Sequence, residues 1–305
     1  MRDPGQNVRG GAVACPVPGD PVHGTPVPGG SATLRSRGSG GAEKFLIGIV
    51  LVWFAVLVLF PLGAMVRGVI DSGLSESLRS LASPVAQHAF WLTLGITVIS
   101  VVVNTFFGVI LALVLARQKF VGKLLLNGVV DLPFSLSPVV AGFMFIILFG
   151  PNGWLGKWFE AGGIRVIFAL PGMILATIFV TVPFVAREVV PVLQESGTEQ
   201  EDAARTLGAN GWQTFWRITV PSIRWGLGYG VCLTTARALG EFGAVLIVSG
   251  SVIGKTQTAT SYIHQEFVDF HYAGAFAASL VLAVASFLML VTMELLRKRV
   301  ADRME

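Results

Sequence analysis

Six apolar stretches, each long enough to cross a lipid bilayer, constrain this chain more than any other feature. A helix needs about 20 apolar residues to span a hydrocarbon core of roughly 30 Å. The stretches cover residues 45–66, 86–116, 124–149, 166–186, 225–249 and 273–296. Charged residues make up only 13% of the 305 residues, against roughly 25% in a soluble domain. The sequence therefore predicts an all-α integral membrane protein with six transmembrane helices.

Lys and Arg are distributed unevenly between the segments that connect the six stretches. One alternating set, made of both terminal segments and residues 117–123 and 187–224, contains 16 of these residues, whereas the other set contains 5. Segments rich in Lys and Arg stay on the cytoplasmic side of a membrane. We therefore expect both termini, and the segment 187–224, to be cytoplasmic.

The first 42 residues differ in composition from the rest of the chain. They contain 6 Pro and 10 Gly and almost nothing that could form a core, which predicts a flexible cytoplasmic tail before a membrane domain of residues 43–299. No apolar region of about 7–15 residues follows Met1, so we do not expect a signal peptide.

Four prolines lie inside the third and fourth stretches. They are Pro133, Pro138, Pro171 and Pro183. Proline removes a backbone hydrogen bond and clashes with the preceding helical turn. We therefore expect kinks at these positions.

Several classes of site are absent from the pattern. Cys15 and Cys232 are the only cysteines and lie far apart, which excludes a disulfide framework or a CxxC metal site. The histidines His88, His264 and His271 are scattered near predicted external helix ends. No basic stripe that could bind nucleic acid accompanies the net charge of +4. We expect no catalytic residues, no metal ligands and no nucleic-acid partner.

Residues 198–221, which we call the docking segment, interrupt the apolar pattern with charges and glycines. Thr198 followed by Glu201 has the spacing of a capping box at the start of a helix. Gly208 can end that helix in the left-handed conformation, and Asn210 can cap a second short helix. These signals predict a helix–turn–helix outside the bilayer, and its small side chains would let another backbone approach closely.

An apolar stripe follows in the second half of the docking segment. Trp212, Phe215, Trp216 and Thr219 recur at helical spacing, which predicts a face turned to the membrane. The pattern by itself leaves open whether the segment is an ordinary amphipathic connector or a docking surface.

The docking segment resembles the "EAA" loop of ABC-transporter permeases, which has Glu-Ala-Ala, three residues, Gly, nine residues and Ile-x-Leu-Pro. The matching residues here are Asp202, Ala203, Ala204, Gly208, Ile218 and Pro221. Asp202 stands where Glu is usual, and Val220 replaces Leu. Because Asp is one methylene shorter, either Asp202 or the preceding Glu201 could make the contact of the family. The resemblance implies that this loop is a coupling helix that docks on a cytoplasmic ATPase subunit.

The resemblance extends over residues 43–299. DLPFSLSPVVAG (131–142), PGMILATIFVTVPFVARE (171–188) and ARALGEFGAVLIVSGSVIGKT (236–256) are similar to permeases of sulfate and molybdate importers. Among these, the chain resembles the CysW-type subunit of sulfate/thiosulfate importers. This implies a type I ABC importer permease fold in the bacterial inner membrane, a CysT-type permease partner, two copies of an ATPase and an external binding protein.

Arg237 and Glu241 lie four residues apart inside the fifth stretch. Charges within a membrane are costly and usually pair or face an aqueous path. One interpretation is a structural clamp that neutralises both charges. The other is that Arg237 contributes positive potential to the route of a doubly charged oxyanion, or that the pair forms a gate.

The chain is not expected to bind a nucleotide. GSVIGKT (250–256) resembles a Walker A loop but has three residues between its glycines instead of four, and it falls in a predicted external loop. ATP and Mg²⁺ would therefore belong to the partner ATPase, and this chain would not be an enzyme. A molybdate or tungstate permease is the alternative within the class. A stand-alone anion channel or secondary transporter would not need the docking segment.

Overall fold

The computed structural model describes the backbone of residues 40–301 and the side chains of residues 44–295. The predicted tail of residues 1–42 lies almost wholly outside the described residues. The chain divides into two compact units, Met1–Phe54 and Ala55–Glu305. The described part of the first unit belongs to a single helix.

Helices account for nearly all of the described residues, and no strand occurs among them. The predicted all-α class is therefore confirmed. The helices are α1 (Gly40–Asp71), α2 (Leu74–Leu81), α3 (Pro84–Arg117), α4 (Lys123–Ser135), α5 (Pro138–Phe149), α6 (Gly156–Ala161), α7 (Leu170–Glu195), α8 (Glu199–Thr206), α9 (Gly211–Thr214), α10 (Val220–Leu239), α11 (Gly243–Ser249), α12 (Ala259–Val268) and α13 (Tyr272–Ala301), with a π-helical turn at Phe215–Thr219 between α9 and α10.

Four helices are long and apolar enough to cross a membrane, namely α1, α3, α7 and α13. Two further candidates are bent pairs. Helices α4 and α5 meet at 111°, and the helix that runs through α9 and α10 meets α11 at 54°. The described residues thus contain four spans, or six if each bent pair crosses the membrane once, in agreement with the predicted permease architecture.

The third stretch is broken instead of only kinked. Leu136 and Ser137 adopt extended conformations between α4 and α5. Proline disfavours the helical conformation of the residue before it, and Pro138 then begins α5 because its fixed φ suits a first helical turn. Pro133 lies inside α4 without ending it.

The fourth stretch forms α7, which differs from its prediction in two ways. The helix begins near Pro171, so this proline starts the helix and the predicted kink there is wrong. The helix also extends nine residues beyond the predicted end at residue 186, continuing through Pro191 to Glu195. Residues that were counted as part of a cytoplasmic connector therefore prolong the span.

The fifth stretch is interrupted at Gly240–Phe242, which we call the break, although no proline lies there. Glycines on both sides of Glu241 weaken the helix at this point. The Thr260 hydroxyl of α12 donates to the Glu241 carbonyl at 2.9 Å. A carbonyl left without its helical partner is thereby satisfied by a neighbouring element, as membrane proteins require.

Close helix contacts in the second unit depend on small residues. A Cβ atom on Gly108 of α3 would lie 2.7 Å from Val185 of α7. Cβ atoms on Gly226 and Gly230 of α10 would lie 2.8 and 3.1 Å from atoms of α7. Asn104 of α3 donates to the Thr181 hydroxyl at 2.7 Å and to the Ile178 carbonyl of α7 at 3.1 Å. Asn104 therefore joins α3 to α7 by side-chain hydrogen bonds.

Helix α12 was not predicted, because residues 250–272 were taken as an external loop. It packs between α3 and α13, and Tyr262 joins a small core with Ala86, Ala89 and Ala278. The N–H of Ala259 donates to the Thr93 hydroxyl at 2.8 Å, which ties the start of α12 to α3. Part of the predicted loop is therefore a helix that is packed against two spans.

Candidate functional site

Helix α8 forms the first half of the docking segment, as its sequence predicts. Glu199, Glu201 and Asp202 place negative charge in its first turn, where the helix dipole favours it. The predicted capping box is wrong, because the Thr198 side chain makes no capping hydrogen bond. Gly208 lies directly after the helix with φ of 87°, the predicted left-handed conformation.

Asn210 begins the second short helix of the docking segment, and this prediction is confirmed. Its side chain accepts from the Gln213 N–H at 2.8 Å, while the Gln213 side chain accepts from the Asn210 N–H at 3.1 Å. These two reciprocal hydrogen bonds form a capping box between the N-cap residue and the residue three positions later. The chain then continues through the π-helical turn into α10, with Pro221 in the first turn of α10.

The two acidic candidates of the docking segment point to different surroundings. Glu201 Oε1 accepts from Arg117 Nη2 at 3.0 Å and from the Thr219 hydroxyl at 3.0 Å. Asp202 is 60% exposed, and its nearest cation is the exposed Arg205 at 3.7 Å. The sequence leaves open whether Glu201 or Asp202 contacts a partner protein. Because Glu201 is hydrogen-bonded within the protein and Asp202 is exposed, Asp202 is the carboxylate that a partner can reach.

The remaining residues of the EAA-like pattern are partly available at the surface. Ala203, Gly208 and Pro221 are exposed, whereas Ala204 and Ile218 are half-buried. Leu207, which the pattern does not include, is 89% exposed beside Gly208. An exposed leucine next to an open glycine backbone and a carboxylate forms a surface that a second protein could cover.

The aromatic stripe forms one cluster. Trp212 contacts Phe215 and Trp216 with ring centroids 6.1 and 5.7 Å apart. Both tryptophans are more than half exposed, while Thr219 at the end of the stripe is buried. Exposed tryptophans next to spanning helices are typical of the membrane–water interface, whereas the prediction of a membrane-facing side chain is wrong for Thr219, which points inward to Glu201.

Arg237 and Glu241 form an ion pair, but not within one continuous helix. Arg237 lies in the last turn of α10, whereas Glu241 lies in the break. Arg237 Nη1 and Glu241 Oε2 are 2.7 Å apart, with the Arg237 side chain 34% exposed and that of Glu241 2% exposed. Glu241 Oε1 also accepts from the Ala244 N–H at 3.0 Å, at the start of α11. The carboxylate therefore stabilises both the cation and the helix that resumes after the break.

Glycine allows a second broken span to approach this region. A Cβ atom on Gly243 would lie 3.1 Å from Pro138 Cβ at the start of α5. In the same way, a Cβ atom on Gly142 of α5 would lie 2.9 Å from the Ala244 carbonyl oxygen. Gly243 thus permits close approach of α5, whereas Gly240 has no close neighbour outside its own helix.

Two arginines with specific partners were missed by sequence reasoning, which counted them only for sidedness. Arg117 binds Glu201, as described above. Arg187 of α7 donates from Nε to Asp131 Oδ1 of α4 at 2.7 Å, and it also reaches the Asn127 carbonyl at 3.4 Å. The partners lie 84 and 56 residues apart in the chain, so no local spacing could have revealed them.

A polar recess lies at the opposite end of the second unit from the docking segment. Its volume is about 490 Å³, and its lining includes Ser80, Tyr262, Glu266 and His271. Burial raises the pKa of the Glu266 carboxyl. The charge of His271 lowers this pKa, whereas the charge of Asp269 raises it. Burial also raises the pKa of the Tyr262 hydroxyl, with Glu266 contributing in the same direction and Ser83 opposing it.

Comparisons with known proteins place these features in a family. Residues 104–302 match the family described as binding-protein-dependent transport system inner membrane component. The chain is 50% identical over 257 residues to the sulfate transport system permease protein CysW of Synechocystis sp., covering 84% of this chain and 93% of that protein. It is 35% identical over 257 residues to the CysT permease of Escherichia coli, covering 84% and 93%.

A solved structure shares the fold. It is a bacterial alginate ABC transporter in complex with an alginate pentasaccharide-bound periplasmic protein, with a TM-score of 0.70 and 16% sequence identity. The match covers 85% of this chain and 95% of the matched chain. At that identity the similarity concerns the arrangement of helices alone.

Proposed function

Because this chain belongs to the family of binding-protein-dependent transport system inner membrane components, and within it to the CysW-type sulfate permeases, we propose that it is the membrane-spanning permease subunit of an ATP-driven sulfate/thiosulfate importer. The observation that carries the proposal is the docking segment. It joins a spanning helix directly to an exposed surface around Asp202, Leu207 and Gly208. A stand-alone channel would have no use for such a surface.

The partner at the docking segment is a cytoplasmic ATPase subunit. Asp202 offers its carboxylate, Ala203 and Gly208 let the partner backbone approach, and Leu207 offers apolar area. Nothing lies within 4 Å of a Cβ atom placed on Gly208, so this side of the turn is open. ATP and Mg²⁺ belong to that ATPase, and this chain contributes no catalytic residue.

The complete importer contains further subunits. The names of the relatives support a second permease of the CysT type, and the family description supports an external binding protein. Two permeases would each dock one copy of the ATPase. The excess of Lys and Arg supports an orientation in which both termini and the docking segment are cytoplasmic.

Arg237 is the candidate for the anion route. About a third of its side chain is exposed, while Glu241 is enclosed, so the cation is the more accessible member of the pair. A partly exposed guanidinium next to a closed carboxylate can present positive potential to a doubly charged oxyanion or act as a gate. The same contacts also suit a purely structural clamp, and the double substitution described in the Discussion separates the two roles.

Transport by the reconstituted complex tests the proposal. The permease pair and the ATPase are placed in vesicles that enclose ATP, with the binding protein and labelled sulfate, thiosulfate or molybdate outside. We expect sulfate and thiosulfate uptake only when both the ATPase and ATP are present. Uptake that continues unchanged without ATP would overturn the importer, whereas ATP-dependent uptake of molybdate in preference to sulfate would overturn the substrate.

Gly208→Leu tests the docking surface. It adds bulk to an open turn, and it costs about 1–2 kcal/mol because L-residues avoid left-handed backbone. The matched control is Gly163→Leu, since Gly163 follows the C-cap of α6 with the same turn hydrogen bonds that Gly208 has after α8, has φ of 74° against 87°, and is equally free of neighbours. We expect only Gly208→Leu to reduce co-purification of the ATPase. Equal co-purification of both variants would contradict the assignment of the docking surface.

A further inference from the structure

The attachment of α8 to the rest of the second unit depends on one carboxylate. No residue of α8 is fully buried, so the helix has no apolar core of its own. A cavity of about 230 Å³ lies beside it, lined in part by Leu113, Arg117, Glu201 and Phe215. Only Glu201 and Ala204 on this helix are not exposed, and the Glu201 side chain is 13% exposed. Polar bonds to Glu201 therefore hold α8 where packing does not.

Glu201 joins three elements through a single oxygen atom. Arg117 comes from the last turn of α3, where a cation is favoured by the helix dipole. Thr219 comes from the end of the π-helical turn that leads into α10. Both donate to Glu201 Oε1 at 3.0 Å, and the Arg117 side chain is only 15% exposed. The two bonds link α8 directly to the ends of two different spans.

The second donor to Glu201 lies in the π-helical turn between α9 and α10. The wide ring of this turn closes between the Val220 N–H and the Phe215 carbonyl. Such turns are rare and occur frequently at functional sites. The Thr219 hydroxyl, which is the donor to Glu201, lies on the last residue of this turn.

We propose that Glu201 is a positioning residue that makes α8 move together with α3 and α10. When α8 is displaced by its partner, the bonds from Arg117 and Thr219 transmit that displacement to both spans. Asp202 contacts the partner, and Glu201 transmits the movement. The proposal rests on the docking role of α8 proposed above, but it assigns the adjacent carboxylates to different tasks.

The test separates attachment of the ATPase from coupling to it. Glu201→Gln, Arg117→Met and Thr219→Val are each assembled with the complete importer. The ATPase that co-purifies and the ATP hydrolysed per sulfate imported are then measured. We expect co-purification to remain, while the ATP consumed per sulfate rises about five-fold or more, the lower range of typical coupling between sites. Thr219→Ser retains the hydroxyl and should keep the normal ratio.

A double variant and a control exclude a general loss of stability. Glu201→Gln combined with Arg117→Met should raise the ratio no further than either change alone, because residues in one network are not additive. Arg67→Ala removes an exposed ion pair with Asp71 at 3.4 Å and should leave the ratio unchanged. The ATP consumed per sulfate should therefore be higher in Arg117→Met than in Arg67→Ala.

Two results would overturn the inference while leaving the importer intact. One is a normal ATP-to-sulfate ratio in all three single variants of a complex whose wild type is coupled. The other is loss of ATPase co-purification in Glu201→Gln as complete as in Gly208→Leu, which would make Glu201 a direct contact. Failure of the wild-type complex to import sulfate with ATP would instead overturn the proposed function itself.

Discussion

The break in the fifth span and the docking segment each contribute the glutamate of an Arg–Glu pair, and the two pairs are built differently. Arg237 and Glu241 lie four residues apart, with Glu241 only 2% exposed. Arg117 and Glu201 belong to different helices, and both remain 13–15% exposed. The first pair occupies a gap within one span, whereas the second connects separate elements.

This difference shows that similar chemistry can serve two purposes. Inside the span, Glu241 replaces a missing helical partner for the Ala244 N–H and also neutralises a cation. At the docking segment, Glu201 replaces apolar packing that α8 lacks. Removing the charge of Glu241 should therefore destabilise the fold at the break. Removing the charge of Glu201 should instead weaken the link between α8 and the ends of α3 and α10.

Glu241→Ala should have the largest effect on stability. It leaves Arg237 without its partner inside a span and the Ala244 N–H without its acceptor. Removing one partner of a buried pair costs about 3–5 kcal/mol, and because Arg237 is 34% exposed we expect a cost at the lower end of that range. The check is the midpoint of thermal unfolding after detergent extraction, with Glu241→Gln as a control that keeps an oxygen acceptor. An unfolding midpoint equal to that of the wild type would mean that Glu241 does not stabilise the break.

Replacing both charges sharpens the comparison further. The variant that combines Arg237→Met with Glu241→Gln leaves no unpaired charge in the span. Near-normal assembly with loss of sulfate uptake would assign Arg237 to the anion route. Loss of assembly would assign the pair to a structural clamp.

Arg187→Met should have a smaller effect than Glu241→Ala. The side chains of Arg187 and Asp131 are 35% and 44% exposed, so water can replace part of the lost interaction. We expect a cost near the lower end of the range of about 1–3 kcal/mol for an unsatisfied group. The same unfolding measurement applies, and the combination of Arg187→Met with Asp131→Asn should recover part of the loss. If Arg187→Met lowered the unfolding midpoint as much as Glu241→Ala, the loss of stability would not depend on how exposed the ion pair is.

Sequence reasoning identified the features that depend on neighbouring residues. The apolar stretches predicted the spans, and Asn210 predicted a cap that the structure contains. Pro138 indicated a distortion of the third stretch, although the result is a full break. In each case the physical cause lies within a few residues of its effect.

Features that depend on distant residues were not accessible in this way. The break at Gly240–Phe242 has no proline to mark it, and its free carbonyl is satisfied by Thr260 from an unpredicted helix. The inward direction of Glu201 depends on Arg117, which is 84 residues earlier in the chain. Glu201 and Asp202 are adjacent, and nothing in the neighbouring sequence indicates which carboxylate points into the protein.

The spacing of the charge pairs also sets an order of events during synthesis. Arg237 meets Glu241 four residues later, within the same span, so this cation can be neutralised as soon as its own segment leaves the ribosome. Asp131 must wait 56 residues for Arg187, and Arg117 must wait 84 residues for Glu201. The enclosed charge of the fifth span can therefore be paired within its own segment, whereas the contact that joins α8 to α3 requires synthesis up to residue 201, about two-thirds of the chain.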